Sequence, residues 1–311
     1  MNKTFYFMAG LPRAGSTLLS TLLNQNPRFY SGPSSPVLGV MYATHDNFQN
    51  SNELYTGYPK PNQANEIVGS IIRHWYSDVE EEVIFDKNRA WTARVAFIEG
   101  YIKEEAKIIV PVRRIDEILA SILTMVHRNP FQEGQPRINF VDEQLVKFNI
   151  PINDENRCTF LLNSSGIVYE SLNAVKMGVD EGHGDKFHFV DYNDLVNNPQ
   201  EELNDIYKFL GEEPFEHTFD ELSNEYREDD LTTYGLSDMH EVHSKLEKTS
   251  PDPSTVLPES IIKLYNENKK NLEFWNDSGA MKVNKQPLRN VPESSQVVNP
   301  SNKNPYNLFS Q

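Results

Sequence analysis

The chain has 311 residues, 38% of them apolar and 24% charged, a composition that suits a globular protein with ample core. Its net charge of −16 repels nucleic acid and anionic membranes, so neither is an expected partner, and any anion pocket must be locally basic against the global field. A single cysteine, Cys158, excludes an internal disulfide and reads as a buried small hydrophobe. No basic-then-apolar leader precedes the first expected strand, and no apolar run nears the roughly 20 residues of a membrane span, so a cytoplasmic location is expected.

Thr4-Phe5-Tyr6-Phe7-Met8-Ala9 is an apolar, aromatic-rich run of strand length. Gly10-Leu11-Pro12-Arg13-Ala14-Gly15-Ser16-Thr17 follows, and then Leu18, Leu19, Leu22 and Leu23 recur at helical spacing. Gly10 and Gly15 let the chain turn tightly between strand and helix. The backbone N–H groups that open the helix then converge on one spot that attracts anions. Arg13 adds a cation and Ser16 and Thr17 add hydroxyls, so the segment reads as a phosphate cradle. It departs from the nucleoside-triphosphate loop G-x-x-x-x-G-K-[ST], because Ser16 stands where that loop has Lys. The departure suits a ligand that presents one phosphate here.

Ser35-Pro36 is a helix-start signal, and a helix is expected from Pro36 to about Phe48. Helical periodicity resumes at Ile67, Val68, Ile71, Ile72 and Trp75. Glu82 to Lys87 reads as a second strand, Thr92 to Glu105 as a helix, and Lys107 to Val112 as a third strand. Asp116 is expected to cap a helix carrying Ile118, Leu119, Ile122, Met125 and Val126. Residues 128–156 read as an irregular cap or insertion. A helix is expected over Phe160 to Met177, a fourth strand over Phe187 to Tyr192, and a helix over Gln200 to Leu210 ended by Gly211. A last helix spans about Glu259 to Trp275. The expected domain is 1–281, and 282–311 reads as an extended or disordered tail. Strands alternating with helices predict right-handed crossovers and a central parallel sheet covered on both faces, a three-layer α/β sandwich. Such sheets bind ligands beyond the carboxyl ends of their strands. Gly10–Thr17, Asp86–Arg89, Arg113–Arg114 and Asp191–Asp194 would all gather there.

Pro12-Arg13-Ala14-Gly15-Ser16-Thr17-Leu18 resembles the 5′-phosphosulfate loop of sulfotransferases that use 3′-phosphoadenosine 5′-phosphosulfate (PAPS). The family usually has Ser at Ala14 and Thr at Ser16. The resemblance implies a fold like that of P-loop nucleoside-triphosphate hydrolases, PAPS as cosubstrate, adenosine 3′,5′-bisphosphate as product and no metal. Histidines and carboxylates show no metal-ligand spacing of their own. Arg113 followed eight residues later by Ser121 is similar to the family's 3′-phosphate site, where Arg offers a planar fork of donors. Arg114 and Ile115 stand where the family has Asp or Asn, then Pro. Val190 to Leu195, with Asn198-Pro199 and Phe209-Leu210-Gly211, resembles the family's later strand and helix. The tyrosylprotein branch places a tyrosine at the position of Tyr192 against the nucleotide. Ser244-Lys245-Leu246-Glu247-Lys248 resembles that branch's Ser-Lys-x-Glu-Arg segment, which folds over it.

By the same resemblance Lys87 is the catalytic candidate, an ammonium that contacts the transferring sulfuryl group and the leaving phosphate. The base that takes the acceptor proton does not carry over. The cytosolic branch has His where Arg89 stands here. The tyrosylprotein branch has a Glu where this chain reads Gly32-Pro33-Ser34-Ser35. Asp86, His45 and Asp46 remain as candidates. The expected activity is sulfuryl transfer to a hydroxyl on a small molecule, saccharide or protein side chain. The alternatives are a non-catalytic binder of adenosine bisphosphate and a P-loop kinase.

Overall fold

The computed structural model describes residues 3–54, 61–224, 226, 228–248 and 250–276. Five strands form one parallel sheet: β1 (Thr4–Met8), β2 (Phe29–Ser34), β3 (Val83–Lys87), β4 (Ile108–Val112) and β5 (Phe187–Asp191), in the order β2-β3-β1-β4-β5. Alternation along β1 sends Phe5 and Phe7 into one apolar cluster, with Ile84, Ile108 and Val110. Tyr6 and Met8 enter another, with Phe85, Ile109 and Val190. Both faces of the sheet are therefore buried, as a parallel sheet requires.

Thirteen α-helices are described: α1 (Ser16–Leu23), α2 (Val37–Gln49), α3 (Pro61–Trp75), α4 (Val95–Ile102), α5 (Ile115–Arg128), α6 (Phe140–Lys147), α7 (Asp154–Leu161), α8 (Ile167–Asp180), α9 (Tyr192–Asn197), α10 (Pro199–Leu210), α11 (Asp230–Tyr234), α12 (Pro253–Val256) and α13 (Glu259–Leu272). Leu19, Leu22 and Leu23 of α1 and Leu203, Ile206 and Leu210 of α10 cover the Tyr6 face. Ile118, Leu119 and Ile122 of α5 and Val168 and Val175 of α8 cover the other. The three-layer expectation is met.

Several local expectations change. The second expected strand is third in chain order, because Phe29–Ser34 is a strand that Gly32-Pro33 disguises; it lies at the sheet edge, where proline is tolerated. The helix expected over Phe160–Met177 is two helices, α7 and α8. Gly166 separates them at a point where a Cβ would lie 2.1 Å from the Phe160 carbonyl oxygen. The segment 128–156 is not irregular throughout, since it contains α6 and the start of α7. Asn139 caps α6 by accepting from the Asp142 N–H at 2.9 Å. Arg114, not Asp116, is the N-cap of α5; Asp116 sits inside the first turn and accepts from the Glu117 N–H. A 3-10 turn over Arg89–Arg94 replaces the start of the helix expected at Thr92. Tyr192 opens α9 instead of closing β5.

Cys158 is fully buried, and burial pushes its thiol up to about 12, as a core residue should show. Among the described residues no helix is long and apolar enough to cross a membrane. The expected tail, 282–311, lies outside the described residues.

Candidate active site

All five strands run in one direction, so the loops after β1, β3, β4 and β5 open at one edge. A cavity of about 500 Å³ lies there. Arg13, Lys87, Arg89, Arg113, Arg128 and Lys245 line it, against Asp238, Glu241 and Glu247. A chain of net charge −16 thus encloses a locally cationic pocket, the condition an anionic ligand imposes.

The loop after β1 is held by its two glycines. The Leu11 N–H donates to the Pro111 carbonyl at 2.9 Å, and a Cβ on Gly10 would sit 2.2 Å from that same oxygen. Gly15 is the N-cap of α1 at φ 85°, a left-handed conformation that glycine adopts without cost. Gly15, Ser16, Thr17 and Leu18 line the cavity, whereas Ala14 is buried in the core. Arg13 also takes a left-handed turn, at φ 57°. Its guanidinium donates to the Ser121 hydroxyl at 3.3 Å and to the Met239 carbonyl.

Arg113 and Ser121 both line the cavity, at the end of β4 and one face of α5. Arg113 is nearly fully buried, and each of its three guanidinium nitrogens donates one bond. Nε donates to Glu117 at 3.0 Å, Nη1 to the Arg13 carbonyl at 2.9 Å and Nη2 to the Ser250 hydroxyl. Its guanidinium lies 4.4 Å from the centre of the Tyr192 ring. That ring fills the space in front of Gly15, where a Cβ would meet Cδ2 at 2.8 Å. Loop, Arg113 and Tyr192 therefore form one packed unit.

Lys87 ends β3. Its carbonyl accepts from Ser35 at 2.9 Å, while its ammonium has no hydrogen bond or ion pair among the described residues. Desolvation is the main reason its pKa is pushed down to about 8; Arg89 adds to the fall and Glu228 opposes it. Arg89, two residues on, also lines the cavity without an ion pair among the described residues, and desolvation likewise lowers its pKa.

The remaining sequence candidates lie apart from these groups or at the rim. Lys245 lines the cavity on an exposed side chain. Ser244 is exposed, and its carbonyl accepts from Leu222 at 2.7 Å. Lys248 lies 3.8 Å from Glu117, so it shares the carboxylate that holds Arg113. Asp86 faces away from the cavity, where Ser35, Tyr76 and Trp91 all donate to it; burial nonetheless pushes its pKa up. His45 bonds the Tyr101 hydroxyl in an aromatic cluster on α2, and Asp46 is exposed on the same helix.

Several lining groups fall outside the sequence candidates, among them Thr124, Arg128, His240 and Ser250. Thr124 follows Ser121 by three residues, so helical spacing alone could have found it; its hydroxyl is buried with no partner among the described residues. Arg89 belongs to the Asp86–Arg89 strand-end cluster expected at this edge, and it lines the cavity there. His240 and Ser250 come from the long polar segment after α10, where no periodicity announces them.

A parallel α/β sheet with a glycine-bearing strand–helix loop and a cationic cavity beyond its strand ends defines a P-loop-like α/β protein. The match to known families is specific: residues 3–251 fit the sulfotransferase domain, and the chain belongs to the sulfotransferase family, whose general activity is sulfuryl transfer. Among solved structures, mouse sulfotransferase SULT7A1 complexed with PAP is 10% identical, aligned over 92% of this chain and 88% of its own with a TM-score of 0.53. The sulfotransferase domain from the curacin biosynthetic pathway is 13% identical over 86% of this chain and 98% of its own, with a TM-score of 0.49. No curated protein matches.

Proposed function

We propose that this protein transfers a sulfuryl group from PAPS to an acceptor hydroxyl by in-line displacement in the cavity at the strand ends. The observation that carries the reading is Lys87, a buried ammonium without a partner among the described residues, beside a glycine-bearing loop in a basic cavity. Burying an uncompensated charge is costly, and an anion that enters the cavity would offset that cost.

The donors present suit a ligand with separated anionic groups. The N–H groups at the start of α1, with Ser16 and Thr17, would take the 5′-phosphosulfate. Arg113 and Ser121 would take the 3′-phosphate, with the Arg113–Ser250 bond the one to be exchanged for it. Lys87 would hold the bridging oxygen as negative charge collects there, an interaction strongest in the transition state. Ser16 at the triphosphate-loop lysine position disfavours the kinase reading.

The test is incubation with labelled PAPS and an extract of candidate acceptors, beside calorimetric titration with adenosine 3′,5′-bisphosphate. Label moving into a product and tight nucleotide binding, lost in Arg13→Ala, are expected. Binding without transfer would make the protein a nucleotide-binding relative. Turnover of ATP with magnesium would revive the kinase reading.

A further inference from the structure

We infer that His240 is the general base of this site and that Asp230 positions its ring, an inference that rests on the sulfuryl-transfer reading above. His240 lines the same cavity as Lys87 and Arg13. Its Nδ1 lies 2.6 Å from Asp230 Oδ1, and its backbone N–H donates to Asp230 Oδ2 at 2.8 Å. One carboxylate thus fixes both the main chain and the ring. Glu228 approaches the same Nδ1 at 3.6 Å. With the Nδ1 proton directed at Asp230, Nε2 is the nitrogen left to accept a proton. It has no partner among the described residues and is not sealed in the interior.

The segment that carries this imidazole is linked to the loop and to the groups at the end of β3. Arg13 donates to the carbonyl of Met239, the residue before His240, so the backbone at His240 is tied to the turn of the phosphate loop. Glu228 acts electrostatically on Lys87, Arg89 and Tyr234, and Asp230 on Arg13. The Tyr234 ring lies 5.5 Å from that of His240. Charged or titratable groups near His240 include Asp230, Glu228 and Tyr234, with Asp238 and Glu241 flanking it in the chain and lining the cavity beside Arg13, Lys87 and Arg89. Two carboxylates stand ready to stabilise an imidazolium, while the cations lie on the loop and β3 side.

In the step this arrangement supports, the acceptor hydroxyl gives its proton to Nε2 as its oxygen bonds to sulfur. The bridging sulfur–oxygen bond breaks, and its electron pair stays on the 5′-phosphate of adenosine 3′,5′-bisphosphate. The imidazolium, held by Asp230 and Glu228, later returns its proton to water. The products are a sulfate ester and the bisphosphate.

The experiment compares wild type, His240→Gln, His240→Ala and Asp230→Asn. It follows label from PAPS into the extract and, as a probe that needs no known acceptor, into inorganic sulfate with water as acceptor. His240→Gln and His240→Ala should lose on the order of 10²–10⁴-fold in turnover, with unchanged calorimetric affinity for adenosine 3′,5′-bisphosphate. Added imidazole should restore part of the His240→Ala rate. The wild-type rate should fall at acid pH, and this limb should vanish in His240→Gln. Asp230→Asn should lower turnover less and alter the acid limb. Normal turnover in His240→Gln overturns the base while leaving the sulfuryl-transfer reading intact. So does a loss of nucleotide affinity equal to the loss of rate, or wild-type turnover that a chelator abolishes and a divalent metal restores. A wild type that neither binds the bisphosphate nor moves label overturns both readings.

Discussion

Desolvation sets the behaviour of Lys87, and it makes stability and activity pull in opposite directions. Burial pushes the ammonium from its ordinary value of 10.5 down to about 8 in the folded chain. Between those values the unfolded chain holds more protons, so stability rises with pH across that window, and the full cost stands below about pH 8. That cost is on the order of 3 kcal/mol at about 1.4 kcal/mol per decade. Lys87→Met should therefore raise the neutral-pH stability in a denaturant titration by up to that amount, with the gain fading as pH climbs from about 8 towards 10.5. The same variant should lose most turnover. In the wild type, kcat/KM should fall as pH rises through about 8, where Lys87 gives up its proton. A variant without altered stability would mean that Lys87 is not desolvated; one with normal turnover would mean that it stabilises no leaving group.

Arg113 is equally bound to its neighbours. The eight-residue spacing to Ser121 suggests a residue that recognises only a 3′-phosphate. Its Nη1, however, also holds the Arg13 carbonyl, the turn of the first loop. Charge-assisted bonds contribute about 1.5–3 kcal/mol each. Arg113→Ala should weaken PAPS by roughly 10- to 150-fold, and adenosine 5′-phosphosulfate, which lacks the 3′-phosphate, by a smaller but measurable factor. Paired dissociation constants check this. Equal losses for both ligands would leave Arg113 as a loop-holding residue without a role at the 3′-phosphate.

The element that matters most is the strand–loop–helix unit of β1 and α1. Gly15 is required there twice over: for its positive φ, and because the Tyr192 ring occupies the space a side chain would need. Gly15→Ala should cost about 1–2 kcal/mol for the left-handed conformation alone. It should also push Tyr192 from beneath Arg113 and so weaken nucleotide binding. Calorimetry and a thermal melt read the two effects separately, and retained affinity would show that the loop and Tyr192 are not coupled. The edge element β2 teaches the opposite lesson about legibility. Its Phe, Ser, Gly and Pro show no strand alternation, and the segment pairs with β3, Phe29 opposite Val83 and Tyr30 opposite Ile84.

At the scale of the whole molecule, charge separates small anions from large ones. At physiological ionic strength the Debye length is about 8 Å. A bisphosphate inside the cavity feels its cationic lining, whereas a polymer lying across the surface meets the field of a chain of net charge −16. A sulfated polysaccharide should therefore fail to displace adenosine 3′,5′-bisphosphate in a competition titration and should take up no label from PAPS. Displacement at micromolar polymer would point to a basic surface track outside the cavity.

What the sequence determined by itself is local. The loop, its glycines, the strand ends carrying Lys87 and Arg113, and the α/β alternation are all readable because each depends on neighbours in the chain. Parallel pairing then brings separate strand ends to one edge, which connectivity alone implies. Only the tertiary structure decided which side chains face the cavity and which are spent elsewhere. Asp86 and Lys87 are adjacent in sequence, yet the strand pleat sends one to the Trp91–Tyr76 cluster and the other to the cavity. Asp230 and His240 meet across a polar segment without periodicity, and Arg13 reaches Met239 across 226 positions. Such contacts are set by how loops fold over a finished sheet, and no short pattern in the chain encodes them.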